Sequence, residues 1–338
     1  MRTLSDPPRE VVDRATLLPR YGSYRGQIPR IELGALARDR FERLATEKRW
    51  IYVALTSDEW FVGAAIVDLG YAANAFAFAC SRTTGMAVDR SLIGVPGLSR
   101  VRQTAVHRLR ASFRHPSGRA RIEQRDGDPT IELAFELPEL GIHARLDTRS
   151  APAAITAVAP IERGIVNTTE KRALLPVSGA MLVRGKRVEL EGALGGYDFT
   201  HGLLARRTRW NWAYLQGRAT SGEKVGLNLV QGFVGEPECA LWVDGELFPL
   251  AEGRFAYDAA RPLAPWKVTT EDGAVDLEMD PLGMHAERTD LRIVRSRFVQ
   301  PVGVYRGTIR VPATAGHEAR TLTLEHALGV TEDQDVVW

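Results

Sequence analysis

The chain has 338 residues, 44% hydrophobic and 25% charged, with a formal net charge of +2 from 44 basic and 42 acidic residues. Those values describe a globular protein long enough to bury a large core, in one large unit or two ordinary ones. They exclude a nucleic-acid partner: lysine occurs only five times, and the arginines alternate with acids, as in RARIEQRD, instead of gathering on one patch.

The opening residues, MRTLSDPPREVVDR, are charged, contain two prolines and lack the apolar core of a signal peptide. A helix is predicted over Leu33–Lys48, with Leu36, Phe41 and Leu44 on one face. It is expected to cover a barrel end or a sheet edge, and residues 1–49 read as an N-terminal extension. The first long strand begins at Trp50 and opens a β unit expected over 50–160. The longest apolar run, around Ala64–Ala79, is broken by Asp68, Gly70 and Asn74 and is not a membrane span.

Period-two alternation dominates from there. Ile131, Leu133, Phe135 and Leu137 alternate with polar or small neighbours, and so do Ile142, Ala144 and Leu146. Each pattern buries one face of a strand and wets the other, as antiparallel sheets do. Alternation weakens over Ser150–Asn167, where two prolines fall, so a second β unit is expected over 161–338. Asp244-Gly245 and Asp272-Gly273 each separate two strand-like runs with the residues a tight hairpin requires. The fold class that follows is all-β, mainly antiparallel, with one short helix.

Arg206–Leu215 reads as a two-faced strand. Arg206, Thr208, Trp210, Trp212 and Tyr214 point one way; Arg207, Arg209, Asn211, Ala213 and Leu215 point the other. Ahead of it, Asp198 to Gly202 reads as a loop entering the strand. Asp198 and His201 are the candidate catalytic residues, and Asp198 is expected to meet an arginine if its role is structural. Arg207, Trp210, Trp212, Tyr214, Asn228, Gln231 and Trp242 are the candidate ligand-binding residues, because aromatic walls with a few polar groups suit an apolar ligand. Near the C-terminus, Leu322, Leu324, His326 and Leu328 share a face, which makes His326 a core histidine. The run Glu332-Asp333-Gln334-Asp335 reads as a solvated acidic tail, but its closing Trp338 suggests that the terminus docks against the barrel, where an arginine of the central strand would meet Glu332.

Cys80 and Cys239 sit among apolar neighbours, as two small buried side chains in a reducing compartment, and the cytoplasm is the expected location. Neither CxxC nor HxxxH occurs, and His107, His115, His143, His201, His285, His317 and His326 show no metal-binding spacing. No metal or cofactor is expected. A GxSxG elbow is also missing, which leaves a hydrolase of that type unsupported. The oligomeric state is not set by these residues.

Several segments carry a resemblance: TEKRALLPVSG at 169–179, Asp198 with Gly202, RTRWNWA at 207–213, GLNLVQG at 226–232, the ALWVDG hairpin, Pro265-Trp266, Gln300-Pro-Val-Gly and the terminal GVTEDQDVVW. Through them the sequence resembles the family of domain of unknown function 2804, from about Trp50 to the C-terminus. Cys239 departs from the asparagine common in that family, and His201 is not a fixed part of the central motif. The resemblance therefore carries over Asp198, Arg207, Trp210, Trp212 and Asn228. It implies a tandem lipocalin-like fold of β-barrels or sandwiches, distantly similar to carotenoid hydratases and tocopherol cyclases, which hold greasy molecules in their cavities. Three roles stay open: an enzyme that hydrates, cyclises or isomerises an apolar molecule, a carrier of a lipid-like ligand, or a structural motif that seals a core between β units.

Overall fold

Sequence around 50–81 is almost continuously apolar because its strands are buried on both faces. In the computed structural model of the chain, which describes residues 2–94, 99–105, 108–290, 295–313 and 318–338, the strands Glu47–Thr56, Trp60–Asp68 and Ala73–Ser81 run side by side. Ile51, Val53, Val62, Ala64, Ala75 and Ala77 turn into one core. Tyr52, Ala65, Phe76 and Phe78, from the alternate positions, turn into a second. The one-faced strands Thr130–Leu137 and Leu140–Asp147 keep the strict alternation because their outer face meets water.

Among the described residues the strands form two antiparallel, curled sheets, one of 14 strands and one of nine. The first closes barrel-like around the first core, which also takes in Val11, Ile28 and Leu33 from the N-terminal segment. The second is a half-barrel, and its central pair is Arg207–Arg218 beside Arg320–Val337. The chain passes from one sheet to the other between Leu203 and Arg207. The strands Val166–Val183 and Leu194–Leu203, which the sequence groups with the later residues, thus hydrogen-bond within the first sheet. The Asp244-Gly245 hairpin forms as predicted, with Val243 opposite Glu246 and Asp244 at φ 50°.

The two sheets meet back to face, and glycine sets how closely. A Cβ on Gly196 would stand 1.6 Å from the Tyr214 hydroxyl and 2.6 Å from the Arg172 carbonyl oxygen. One on Gly226 would stand 2.6 Å from the Ala173 methyl. At this end the sheets are in direct contact; towards Trp210 they part.

Four expectations are corrected. The helix is shorter, Arg40–Thr46, because the Asp39 side chain accepts from the amides of Phe41 and Glu42 and starts it there. Leu36 lies in a separate 3-10 turn, and Phe41 and Leu44 are exposed. Asp198–Gly202 is not a loop but part of the Leu194–Leu203 strand. His326 is exposed, since a bulge opposite Tyr305–Gly307 flips its side chain out of the apolar row. The acidic terminus is no tail: Glu332–Gln334 lie inside the Arg320–Val337 strand and are buried. No helix among the described residues is long and apolar enough to cross a membrane.

Candidate functional site

Where the sheets part they enclose a cavity of about 480 Å³. The first sheet contributes Trp50, Tyr52 and Phe76; the second contributes Trp210, Trp212 and Phe298. Trp50 stacks on Trp210 with ring centres 6.0 Å apart, and Tyr52 meets Trp212 edge-on at 5.3 Å. The walls grade from half-exposed Tyr71, Phe298 and Ser296, with Ile93 65% exposed at the rim, to fully buried polar groups. The deep end is therefore polar, and Asn74 and Glu287 add half-exposed polar groups to the lining.

Strand register gathers those polar groups. Glu332 pairs across the backbone with Trp212 and lies diagonal to Trp210, so the Trp210 and Glu332 side chains share the inner face. Trp210 Nε1 donates to Glu332 Oε1 at 2.7 Å, and Gln300 Nε2 donates to Glu332 Oε2 at 2.7 Å. Burial pushes the Glu332 carboxyl up to about 7, against those two hydrogen bonds, and nearby Asp198 adds to the rise. A carboxylic acid poised near neutrality in an apolar cavity is suited to giving up and retaking a proton.

Asp198 lines the same cavity among different partners. Lys171 Nζ donates to its Oδ2 at 2.5 Å, and the Thr169 and Thr200 hydroxyls reach Oδ1 at 3.4 Å. The same ammonium is 3.0 Å from Glu238 Oε2, in an ion pair without the alignment of a hydrogen bond. Burial alone would lower the Lys171 pKa, but Asp198 and Glu238 outweigh it and raise it above the ordinary lysine value. Burial raises the Glu238 carboxyl. The ammonium also sits 5.7 Å from the centre of the Trp212 ring. The expected arginine beside Asp198 is thus a lysine, supplied by the neighbouring strand through the Lys171–Asp198 register pair.

Of the residues singled out in the sequence, Asp198, Trp210 and Trp212 come together in the cavity wall. Asn228 stands directly behind: Trp212 Nε1 donates to its Oδ1 at 2.7 Å, and its Nδ2 donates to the Glu238 carbonyl at 2.9 Å. The others lie elsewhere. His201 points to the opposite face of its strand from Asp198, where its ring meets Glu47 at 3.0 Å and burial lowers its pKa. Arg207 is on the surface, bidentate with Asp335. Tyr214 fills the tight contact over Gly196. Gln231 accepts from the Phe255 amide, and Trp242 donates to the Ala153 carbonyl at 2.8 Å, sealing the sheets beside the cavity. Where an arginine was expected beside Glu332, its hydrogen bonds come from Trp210 and Gln300, and Arg297 pairs with Asp333.

Glu332 as an acid, Lys171, Glu238 and Gln300 were not among the candidates. Lys171, Gln300 and Glu332 nevertheless fall inside TEKRALLPVSG, Gln300-Pro-Val-Gly and GVTEDQDVVW, three of the segments that carry the family resemblance. Among the described residues no group of three or more His, Cys, Asp or Glu side chains is arranged to hold a metal. His107 and His317 lie outside the described residues.

The family of domain of unknown function 2804 (DUF2804) matches residues 3–338. No curated protein matches the chain in sequence. Among solved structures, that of CghA with Sch210972 is similar over 97% of this chain and 97% of its own, with a TM-score of 0.55 and 12% identity. Kievitone hydratase from Nectria haematococca covers 88% of this chain and 90% of its own at TM-score 0.49 and 12% identity. A putative AttH from Nitrosomonas europaea covers 85% and 92% at TM-score 0.47 and 12% identity. At such identity the CghA likeness establishes the fold and nothing finer. The chain belongs to the DUF2804 family.

Proposed function

We propose that this DUF2804 member binds an apolar small molecule between its two sheets and catalyses an acid-initiated reaction on it, a hydration, cyclisation or isomerisation. The observation that carries this reading is Glu332: a buried carboxyl held near neutrality by its surroundings, facing an aromatic cavity large enough for a ligand. In that reaction the Glu332 O–H gives its proton to an alkene carbon of the ligand, leaving a carboxylate and a carbocation. The faces of Trp210, Trp212 and Tyr52 stabilise the cation. Water or an internal nucleophile then forms the new bond and returns its proton to Glu332, or loss of a neighbouring proton to Glu332 gives the isomer. Trp210 and Gln300, through their N–H groups, hold the carboxylate in place between the two transfers.

Asp198 then has a different part from the one expected of it. Tied to Lys171 and indirectly to Glu238, it belongs to a buried ion network that shapes the cavity floor, which makes it a positioning residue. A carrier without chemistry would use the same cavity but would need no acid near neutrality.

The test does not require a known substrate. The wild type and Glu332→Gln are incubated with an apolar metabolite extract in D2O, and the extract is analysed by mass spectrometry. Wild type should produce apolar species that carry carbon-bound deuterium, and Glu332→Gln should not. Deuterium incorporation equal in the two proteins, or missing from both, would contradict the reading.

A further inference from the structure

Among the described residues, two amide oxygens in the cavity find no hydrogen-bond partner. Gln300 spends its Nε2–H on Glu332 and Gln334 spends its own on Ser296 Oγ at 3.3 Å, leaving Gln300 Oε1 and Gln334 Oε1 buried and unpartnered. Gln300 is 0% exposed and Gln334 6%, and both line the cavity. Pairing of Phe298 with Gln334 and of Val299 with Asp333 sets Gln300 opposite Glu332, so the two amides flank the carboxyl on one face. Buried acceptors are ordinarily satisfied, and a pair left open in a ligand-sized cavity calls for a donor from the ligand.

Charge and chemistry narrow the donor. Asp198, Glu238, Glu287 and Glu332 line the cavity with a single ammonium, Lys171, and no arginine lines it among the described residues. An anionic head group would enter against that excess of carboxyls. A cationic head would seek a carboxylate, yet both oxygens of Glu332 accept N–H groups, both of Glu287 accept from Asn74 and Ser91, and Asp198 and Glu238 are paired with Lys171. What stands free is neutral carbonyl oxygen. The Tyr52 hydroxyl is also without a partner among the described residues, but it rests over Gly63.

We infer that the ligand is a neutral, hydroxyl-bearing apolar molecule, its O–H donated to Gln300 or Gln334 and its body laid among Trp50, Trp210 and Phe298. This rests on the reading of the cavity as a ligand site and adds the class of molecule it selects. The hydroxyl would then lie beside Glu332, which fixes the part of the ligand that reacts.

Three probes of one shape test it: pyrene, 1-hydroxypyrene and pyrene-1-carboxylate, followed at pH 7 by energy transfer from tryptophan. 1-Hydroxypyrene should bind about tenfold more tightly than pyrene, and pyrene-1-carboxylate more weakly than either. Gln300→Met and Gln334→Met should each bring the hydroxyl preference towards one while pyrene still binds. If one variant no longer takes up pyrene, the other decides. Pyrene bound as tightly as 1-hydroxypyrene, or a preference untouched in the variants, would overturn the inference and leave the cavity reading standing. Failure of the wild type to bind any of the three would remove both.

Discussion

At the scale of single residues, the site sets two kinds of buried carboxyl side by side. Glu332 is held by the neutral N–H groups of Trp210 and Gln300, and burial lifts it to about 7 from an ordinary value of 4.5. Its folded pKa lies above its unfolded one, so the stability tied to its proton is complete below about pH 4.5 and is lost as pH rises through 7. Glu332→Gln mimics the protonated form. It should match wild type in urea denaturation at pH 4 and exceed it at pH 8 by up to about 3 kcal/mol; equal stability at both values would contradict the burial argument. Asp198 and Glu238 instead share Lys171. Lys171→Met strands both beside an apolar side chain and should cost roughly 3–5 kcal/mol of unfolding free energy. Adding Asp198→Asn to it should recover part of that loss, and no recovery would argue against the pair.

At the scale of elements, the Arg320–Val337 strand is the hinge of the account. It supplies Glu332 and Gln334 to the cavity and ends on Trp338, whose Nε1 donates to Thr208 Oγ1 at 3.0 Å while its backbone N–H donates to the Arg206 carbonyl at 2.9 Å. Trp338→Ala should therefore cost about 3–5 kcal/mol in urea denaturation and open the aromatic end of the cavity; a change within experimental error would place the indole in solvent. How much of this the sequence discloses depends on range. The Arg206–Leu215 faces and the Asp-Gly hairpins are legible because period and turn chemistry act over a few residues. The company of Glu332 is not, because it comes from pairing with residues more than a hundred positions away at Trp210 and 32 away at Gln300. An acidic run that reads as a solvated tail becomes a central strand through that pairing alone. His326 is misread for a similar reason, a bulge that breaks the period without a local mark. Asp198 lines the cavity as a buried residue, and its lysine comes from 27 residues earlier in the chain.

At the scale of the whole molecule, the two sheets share one core: the second hydrophobic cluster runs from Tyr52 and Phe78 of the first sheet to Trp212 and Leu241 of the second. Unfolding one sheet would expose the other, so tryptophan fluorescence and far-UV circular dichroism should trace one coincident urea transition, and two separated transitions would argue against a shared core. Gly196 and Gly226 hold that contact tight on one side and leave the opening at Trp210 as the place where a ligand fits. A Gly196→Ala change must move Tyr214 or the Arg172 backbone and should lower stability without touching the cavity wall. The chemistry, however, rests on one proton. Infrared difference spectra of wild type against Glu332→Gln, recorded from pH 5 to 9, follow that proton directly. A protonated-carboxyl band present at pH 5, fading with a midpoint of about 7 and missing from the variant is the result expected. A wild type with no such band at pH 6, or a band that survives in Glu332→Gln, would contradict the account.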